Sequence, residues 1–290
     1  MMSRMGNLIK PLTASGDFLT PGNAPFANKI GTWLKTRDIN GVEADGARIT
    51  FVGGEADVWQ DATGNNNHYT AKSSAQRPSW GANSLNLNNR PVLYSFGNKF
   101  MERLAIAGNP AGYADPMPGE IYATFWNNGQ GWRTLAGYRF NELNGYGLDR
   151  LYFQTSTGEG LDDTVVAVRT AASTQNIARI DRIQGAQMVD AQIRADSTTI
   201  TRNASTTDTH TLVAANTELY MYRASVFGGY YDQNPSDFFI GEIFEYVEVP
   251  WNTPLAANER NALRAYMMWN AGLENLIPAD NVFKLAAPTV

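Results

Sequence analysis

From Thr32 to Val249 the chain is written in short runs of β-branched and aromatic residues, each closed off by clusters of Gly, Asn, Asp and Pro. That rhythm leaves almost no stretch long enough for a helix and is the spacing of an all-β sandwich. Strands are predicted at 49–52, 91–96, 121–126, 134–138, 151–154, 165–169, 188–195, 198–202, 218–224 and 240–249. Between 189 and 195, Val189, Ala191, Ile193 and Ala195 alternate with Asp190, Gln192 and Arg194, the pattern of one buried and one wet face. Asp196-Ser197 then reads as a hairpin turn into the next strand.

One helix is predicted, with Thr253 as its cap, Pro254 in its first turn, Leu263, Tyr266 and Met267 at helical spacing, and Gly272 ending it. Around this core the chain divides into an irregular arm over 1–28, rich in Pro and Gly, a sandwich over 29–275 and a tail over 276–290. The length of 290 residues accommodates one large domain with such arms, and 43% apolar residues supply a sizeable core.

Composition excludes several functions. Lys and Arg number 23 against 28 Asp and Glu, a net charge of −5 with no long basic run, so a nucleic-acid partner is not expected. There is no cysteine, which removes thiolate catalysis, Cys-ligated zinc and iron–sulfur clusters, and His68 and His210 are too few for a three-His metal site. The first eleven residues, interrupted by Lys10-Pro11, do not make a secretory signal, and no segment is apolar enough for a membrane span, so a soluble protein without a visible export address is expected.

Three segments carry a family resemblance. Thr32-Trp33-Leu34-Lys35-Thr36-Arg37-Asp38 with Val58-Trp59-Gln60-Asp61-Ala62-Thr63-Gly64-Asn65-Asn66-Asn67-His68 is the first, and Arg77-Pro78-Ser79-Trp80 through Leu87-Asn88-Asn89-Arg90-Pro91-Val92-Leu93 the second. The third is Ile240-Gly241-Glu242-Ile243-Phe244-Glu245-Tyr246-Val247, leading through Leu255 and Glu259-Arg260 into the helix. In this order they resemble the concanavalin-A-like lectin/glucanase superfamily, in particular the laminin-G-like domains of microbial and phage proteins. Thr63, Asn66 and Asn89 depart from the Ser and Gly residues of that pattern. The resemblance implies a jelly-roll sandwich of two antiparallel sheets, with one short C-terminal surface helix and irregular terminal arms. It implies little about activity, because such sandwiches host lectins, hydrolases and structural modules alike.

Glucanases of the superfamily carry paired carboxylates on one strand, which draws attention to Glu242, Glu245 and Glu248. Strict alternation puts Glu242 and Glu245 on opposite faces, and Glu242 and Glu248 on one face but roughly 20 Å apart, against the ~5–9.5 Å that glycosidase pairs need. No catalytic residue is therefore expected. Asp61 and Asn65 lie in the densest polar turn and either lock it as an Asx-type turn or help to hold a calcium ion, with Asp162, Asp163 and Asp232 as further oxygen sources. No cofactor is required. His68 reads as a loop or core residue, Thr206 to Thr211 as a solvated turn around His210, and Gly145-Tyr146-Gly147 as no nucleotide fingerprint.

Aromatics in Gly- and Asn-rich loops are the remaining ligand or interface candidates: Trp132, Tyr230 and Tyr231, with Asp232 and Asn234 beside them. Flat rings beside amides suit sugar stacking or a protein interface, and they equally suit rings that fold back onto the core. Two functions follow. One is a non-enzymatic component of a larger assembly, such as the capsid decoration or tail protein of a tailed-phage virion, present in multiple copies and docking through Lys10, Pro11, Phe18 and Phe26 of the arm. The other is a lectin-like, carbohydrate-binding module reading cell-surface glycans; a glycoside hydrolase ranks last.

Overall fold

The computed structural model describes residues 26–36, 49–104, 115–116, 118–127, 133–139, 150–155, 163–169, 175–181, 185–194, 196–211, 220–221, 223–231 and 234–288. The chain forms a jelly-roll sandwich whose strand pairs are antiparallel. In one sheet Thr206–Thr211, Ser197–Arg202, Gly185–Ile193, Pro118–Asn127 and Ile240–Pro250 follow one another. Thr32–Lys35 and Arg90–Phe96 share the far edge of Ile240–Pro250, and Ser79–Ser84 closes that side. The facing sheet runs Ile49–Val52, Glu55–Trp59, Tyr69–Ala71, Met101–Leu104, Arg223–Val226, Arg133–Arg139, Arg150–Thr155, Asp163–Arg169, Gln175–Asp181. Among the described residues, the strand pairing of Glu55 with Ser79 joins the two sheets.

Alternation along each strand sends one set of apolar side chains between the sheets. Leu34, Leu93, Ile121, Phe125, Ile243 and Tyr246 of the first sheet meet Ile49, Trp59, Tyr69, Met101, Tyr138 and Val226 of the second. The opposite set on the first sheet, Trp33, Val92, Tyr122, Met188, Phe244 and Val247, is covered by the helix Ala257–Asn270 through Leu263, Tyr266 and Met267. Each such side chain, fully buried, contributes about 1.5–3 kcal/mol, which holds the helix to the sheet. Its C-terminus is closed by Gly272 at φ +73, with Leu273 N–H donating to Met268 O and Gly272 N–H to Trp269 O.

Three readings of the sequence are corrected. The helix begins after Ala256 rather than at Pro254: the Thr253 hydroxyl donates to Lys29 O, and the Glu259 carboxylate takes the Ala256 N–H. Asp190 does not face water, because the helix lies over its side of the strand and Arg264 grips its carboxylate. Thr206–Thr211 is a strand paired to Ser197–Arg202, and the turn sits earlier, at Asn203 and Ala204, whose φ angles are +48 and +57. Phe26, named with the arm, is buried, 2% exposed, with Ile30 among the helix-side residues. Lys10, Pro11 and Phe18 lie outside the described residues. No helix among the described residues is long and apolar enough to cross a membrane.

Candidate functional site

The strand Ile240–Pro250 carries Glu242, Glu245 and Glu248. Between Ile243 and Glu245 its register against Pro118–Asn127 slips by one, so Phe244 is bulged out of the ladder. The bulge inverts the expected alternation. Phe244 and Glu245 both lie on the helix side, where Glu245 accepts from Trp33 Nε1 at 2.6 Å and from Asn270 Nδ2 at 3.3 Å. Glu242 shares that outer face, whereas Glu248 points between the sheets. The pair expected on one face, Glu242 and Glu248, is separated by the sheet itself, and the pair expected on opposite faces shares one.

Glu248 is the hub of the sandwich interior. Its Oε1 accepts from the hydroxyls of Tyr69 at 2.5 Å, Tyr138 at 2.9 Å and Tyr246 at 3.0 Å. Its Oε2 accepts from Thr32 Oγ1 at 2.7 Å and Arg103 Nη2 at 3.0 Å, and Arg103 Nη1 reaches Asn67 Oδ1 at 3.0 Å. Burial, reinforced by the Glu248 charge, pushes the Tyr69 and Tyr138 hydroxyls well above the usual phenol range. The carboxylate thus finds a donor for each oxygen and a guanidinium for its charge, which is the condition for burying it.

On the outer face, under the helix, two more carboxylates are gripped by arginines. Asp190 takes Arg264 through both oxygens, at 2.8 and 2.7 Å; burial pushes its carboxyl up and the guanidinium draws it back only in part. Glu120 takes Arg194 at 2.6 Å and Arg260 at 2.8 Å, with the Tyr122 hydroxyl also donating. Burial works against the Glu120 charge, but the hydrogen bonds from Arg260 and Tyr122 prevail and hold it below the usual carboxylate range.

The Asp61 turn is locked from within. Asp61 Oδ1 accepts the Trp33 and Thr63 N–H groups at 2.9 and 3.0 Å, and Oδ2 accepts Thr63 Oγ1 at 2.7 Å and Asn67 N–H at 3.2 Å. His68 Nδ1 accepts the Asp61 N–H at 2.9 Å, while Asn65 Nδ2 donates to Ile30 O and Gly31 O. Asp61 is thus ringed by N–H and O–H donors. Asp163 opens a strand opposite Asp181, and Asp162 and Asp232 lie outside the described residues.

Of the loop aromatics, Tyr230 and Tyr231 stand on the strand Gly229–Tyr231, paired with Asn234–Ser236 so that Tyr231 opposes Asn234. The Thr134 N–H donates to Asp237 O at 2.7 Å, so this hairpin lies against the start of Arg133–Arg139. Trp132 and Gly145-Tyr146-Gly147 fall outside the described residues.

A different aromatic surface emerges from strand register. Tyr94 lies opposite Glu242, and Glu242 opposite Trp126, which in turn opposes Ala186. These side chains form one row on the outer face, with Tyr94, Trp126 and Ala186 packed against the edge of the helix-side cluster, and none of them is fully buried. Tyr94 and Trp126, two strand spacings apart, stand about 10 Å from each other with Glu242 between them. Phe96, 81% exposed, contacts Tyr94 edge-on with ring centroids 5.3 Å apart. Glu242 accepts from Ser84 Oγ and, at 3.0 Å, from Asn86 Nδ2. Sequence reading missed this row because its members come from three distant strands, and no local motif links them.

No family model matches the sequence, and no curated protein matches it. Among solved structures, the chain is similar to a GH54 α-L-arabinofuranosidase at 12% identity and a TM-score of 0.57, covering 83% of this chain and 62% of that one. It also matches the CBM40 of a Ruminococcus gnavus IT-sialidase at 10% identity and a TM-score of 0.44, over 58% of this chain and 92% of that one. NanB sialidase from Streptococcus pneumoniae matches at 11% identity and a TM-score of 0.40, over 49% of this chain. The chain spans only 23% of NanB. The arabinofuranosidase likeness supports the β-sandwich fold and nothing finer.

Proposed function

We propose that this chain is a non-catalytic, carbohydrate-binding module that reads a glycan on the outer face of its first sheet. The row Tyr94, Glu242, Trp126 carries this reading. Two aromatic rings offer apolar faces for sugar C–H groups, and Glu242 with Asn86 offers an acceptor and a donor for hydroxyls, the combination that amphipathic ligands require. Glu245 and Glu248 are tied up in separate hydrogen-bond sets, which favours binding over hydrolysis. The solved structure titled as a CBM40 bound to sialyllactose is a sugar binder on a related sandwich, and that fits the reading without carrying it. The assembly or virion role draws no support from Phe26, the one residue of its docking set that is described.

A glycan array followed by titration tests the proposal. Saturable binding is expected, with Trp126→Ala and Tyr94→Ala each weakening it at least about tenfold, as for loss of a stacked ring, while the thermal unfolding curve stays cooperative. No hit at millimolar ligand overturns it. Trp132→Ala and Tyr231→Ala, measured alongside, decide whether the hairpin rim extends the same surface.

A further inference from the structure

We infer that Glu242 makes this surface selective for amino sugars carrying a protonated amine, over neutral sugars of the same backbone and over acidic ones. The inference rests on the carbohydrate reading above and names its ligand class.

Four carboxylates stand on this face of the sheet, and Glu245, fully buried under the helix, is held by Trp33 and Asn270. Glu120 is paired with Arg194 and Arg260, and Asp190 with Arg264. Glu242 receives only the neutral donors Ser84 and Asn86, and among the described residues no cation pairs with it. It is also the one of the four that is not fully buried. A half-buried carboxylate without a counter-ion favours an incoming cation, because a charge-assisted hydrogen bond is roughly twice as strong as a neutral one.

The rings on either side act in the same direction. Tyr94 and Trp126 flank Glu242 on the neighbouring strands, and the faces of Trp and Tyr attract a cation through their quadrupoles. An ammonium borne on a pyranose ring brings together the charge that Glu242 lacks and the C–H face that the rings stack on. A uronic or sialic acid instead brings a second carboxylate beside Glu242, and like charges in contact repel. Asn86 and Ser84 already donate to Glu242, which holds its carboxylate in place before any ligand arrives.

The test uses calorimetric titration of the full chain with three trisaccharides at mildly acidic pH: the β-1,4 glucosamine trimer, its fully N-acetylated counterpart and a galacturonic acid trimer. The first two share a backbone and differ in the amine charge. The glucosamine trimer is expected to bind about tenfold tighter than the acetylated one, and the galacturonate trimer not measurably. Glu242→Gln, which keeps one oxygen to accept from Asn86 and presents its NH2 to the Ser84 hydroxyl as acceptor, is expected to bring the two glucosamine forms within about twofold of each other. With the wild-type chain, raising salt should weaken the free-amine trimer and leave the acetylated one unchanged, a readout that needs no variant.

Equal affinity for the two glucosamine forms, or a preference that survives Glu242→Gln and high salt, overturns the selectivity while the carbohydrate reading stands. Binding of some other glycan on the array, with neither glucosamine trimer bound, has the same effect. Absence of binding to every glycan overturns both.

Discussion

Glu242 and Glu248 stand on one strand, in one sheet, and have opposite surroundings. Glu248 is 3% exposed and receives hydrogen bonds from Thr32, Tyr69, Arg103, Tyr138 and Tyr246. Glu242 lies at the surface between two aromatic rings with two neutral donors. The first has no lone pair left to offer a ligand, whereas the second has both spare acceptor capacity and an unmatched charge. The role of a carboxylate is thus set by the donors that surround it across the fold, and two residues of the same type on one strand serve stability and recognition separately.

The largest expected effect comes from breaking the interior hub. Glu248→Ala leaves Arg103 buried beside three tyrosine hydroxyls that lose their acceptor, and should cost about 3–5 kcal/mol in urea denaturation. A loss below about 1 kcal/mol would mean that water or a side-chain shift replaces the carboxylate there. Glu120 sharpens the comparison on the helix side. Its folded-state pKa is depressed, so its contribution is complete above the unfolded pKa and is lost as pH falls through the folded value. Stability measured against pH should therefore fall less steeply on the acid side in Glu120→Gln than in wild type. Asp190 has the opposite sign: its folded pKa is raised, so its contribution declines as pH rises from the unfolded value through the folded one. The smallest effect belongs to Glu242→Gln, whose unfolding free energy should stay within about 0.5 kcal/mol of wild type, as for a surface substitution. A change as large as that of Glu248→Ala would make Glu242 a structural residue and dissolve the contrast.

Much of the fold was legible in the sequence. The strand 240–249 is observed as Ile240–Pro250, 49–52 as Ile49–Val52 and 198–202 as Ser197–Arg202, because alternating β-formers and turn residues act locally. The helix was visible from Leu263, Tyr266 and Met267, but its start was not. Thr253 spends its hydroxyl on Lys29 O, a partner 224 residues away. Asp190 read as solvent-facing because nothing near it in sequence announces that Arg264 will lie above it. The polar Asp61 turn drew attention in the sequence because its residues lie close together, and its donors at Thr63 and Asn67 are indeed near neighbours.

By itself the sequence determined an all-β chain, the position of most strands, the stop at Gly272 and a chemistry without thiols. Those properties follow from each residue's own backbone preference and functional group. The tertiary structure alone decided which face each glutamate occupies, because a single bulge at Phe244 reverses the parity of everything beyond it. It alone brought Ser84 to Glu242 across 158 residues and set Tyr94 and Trp126 on either side. Strand register is a property of pairs of segments, stored in no one of them, and the proposed site is made of register.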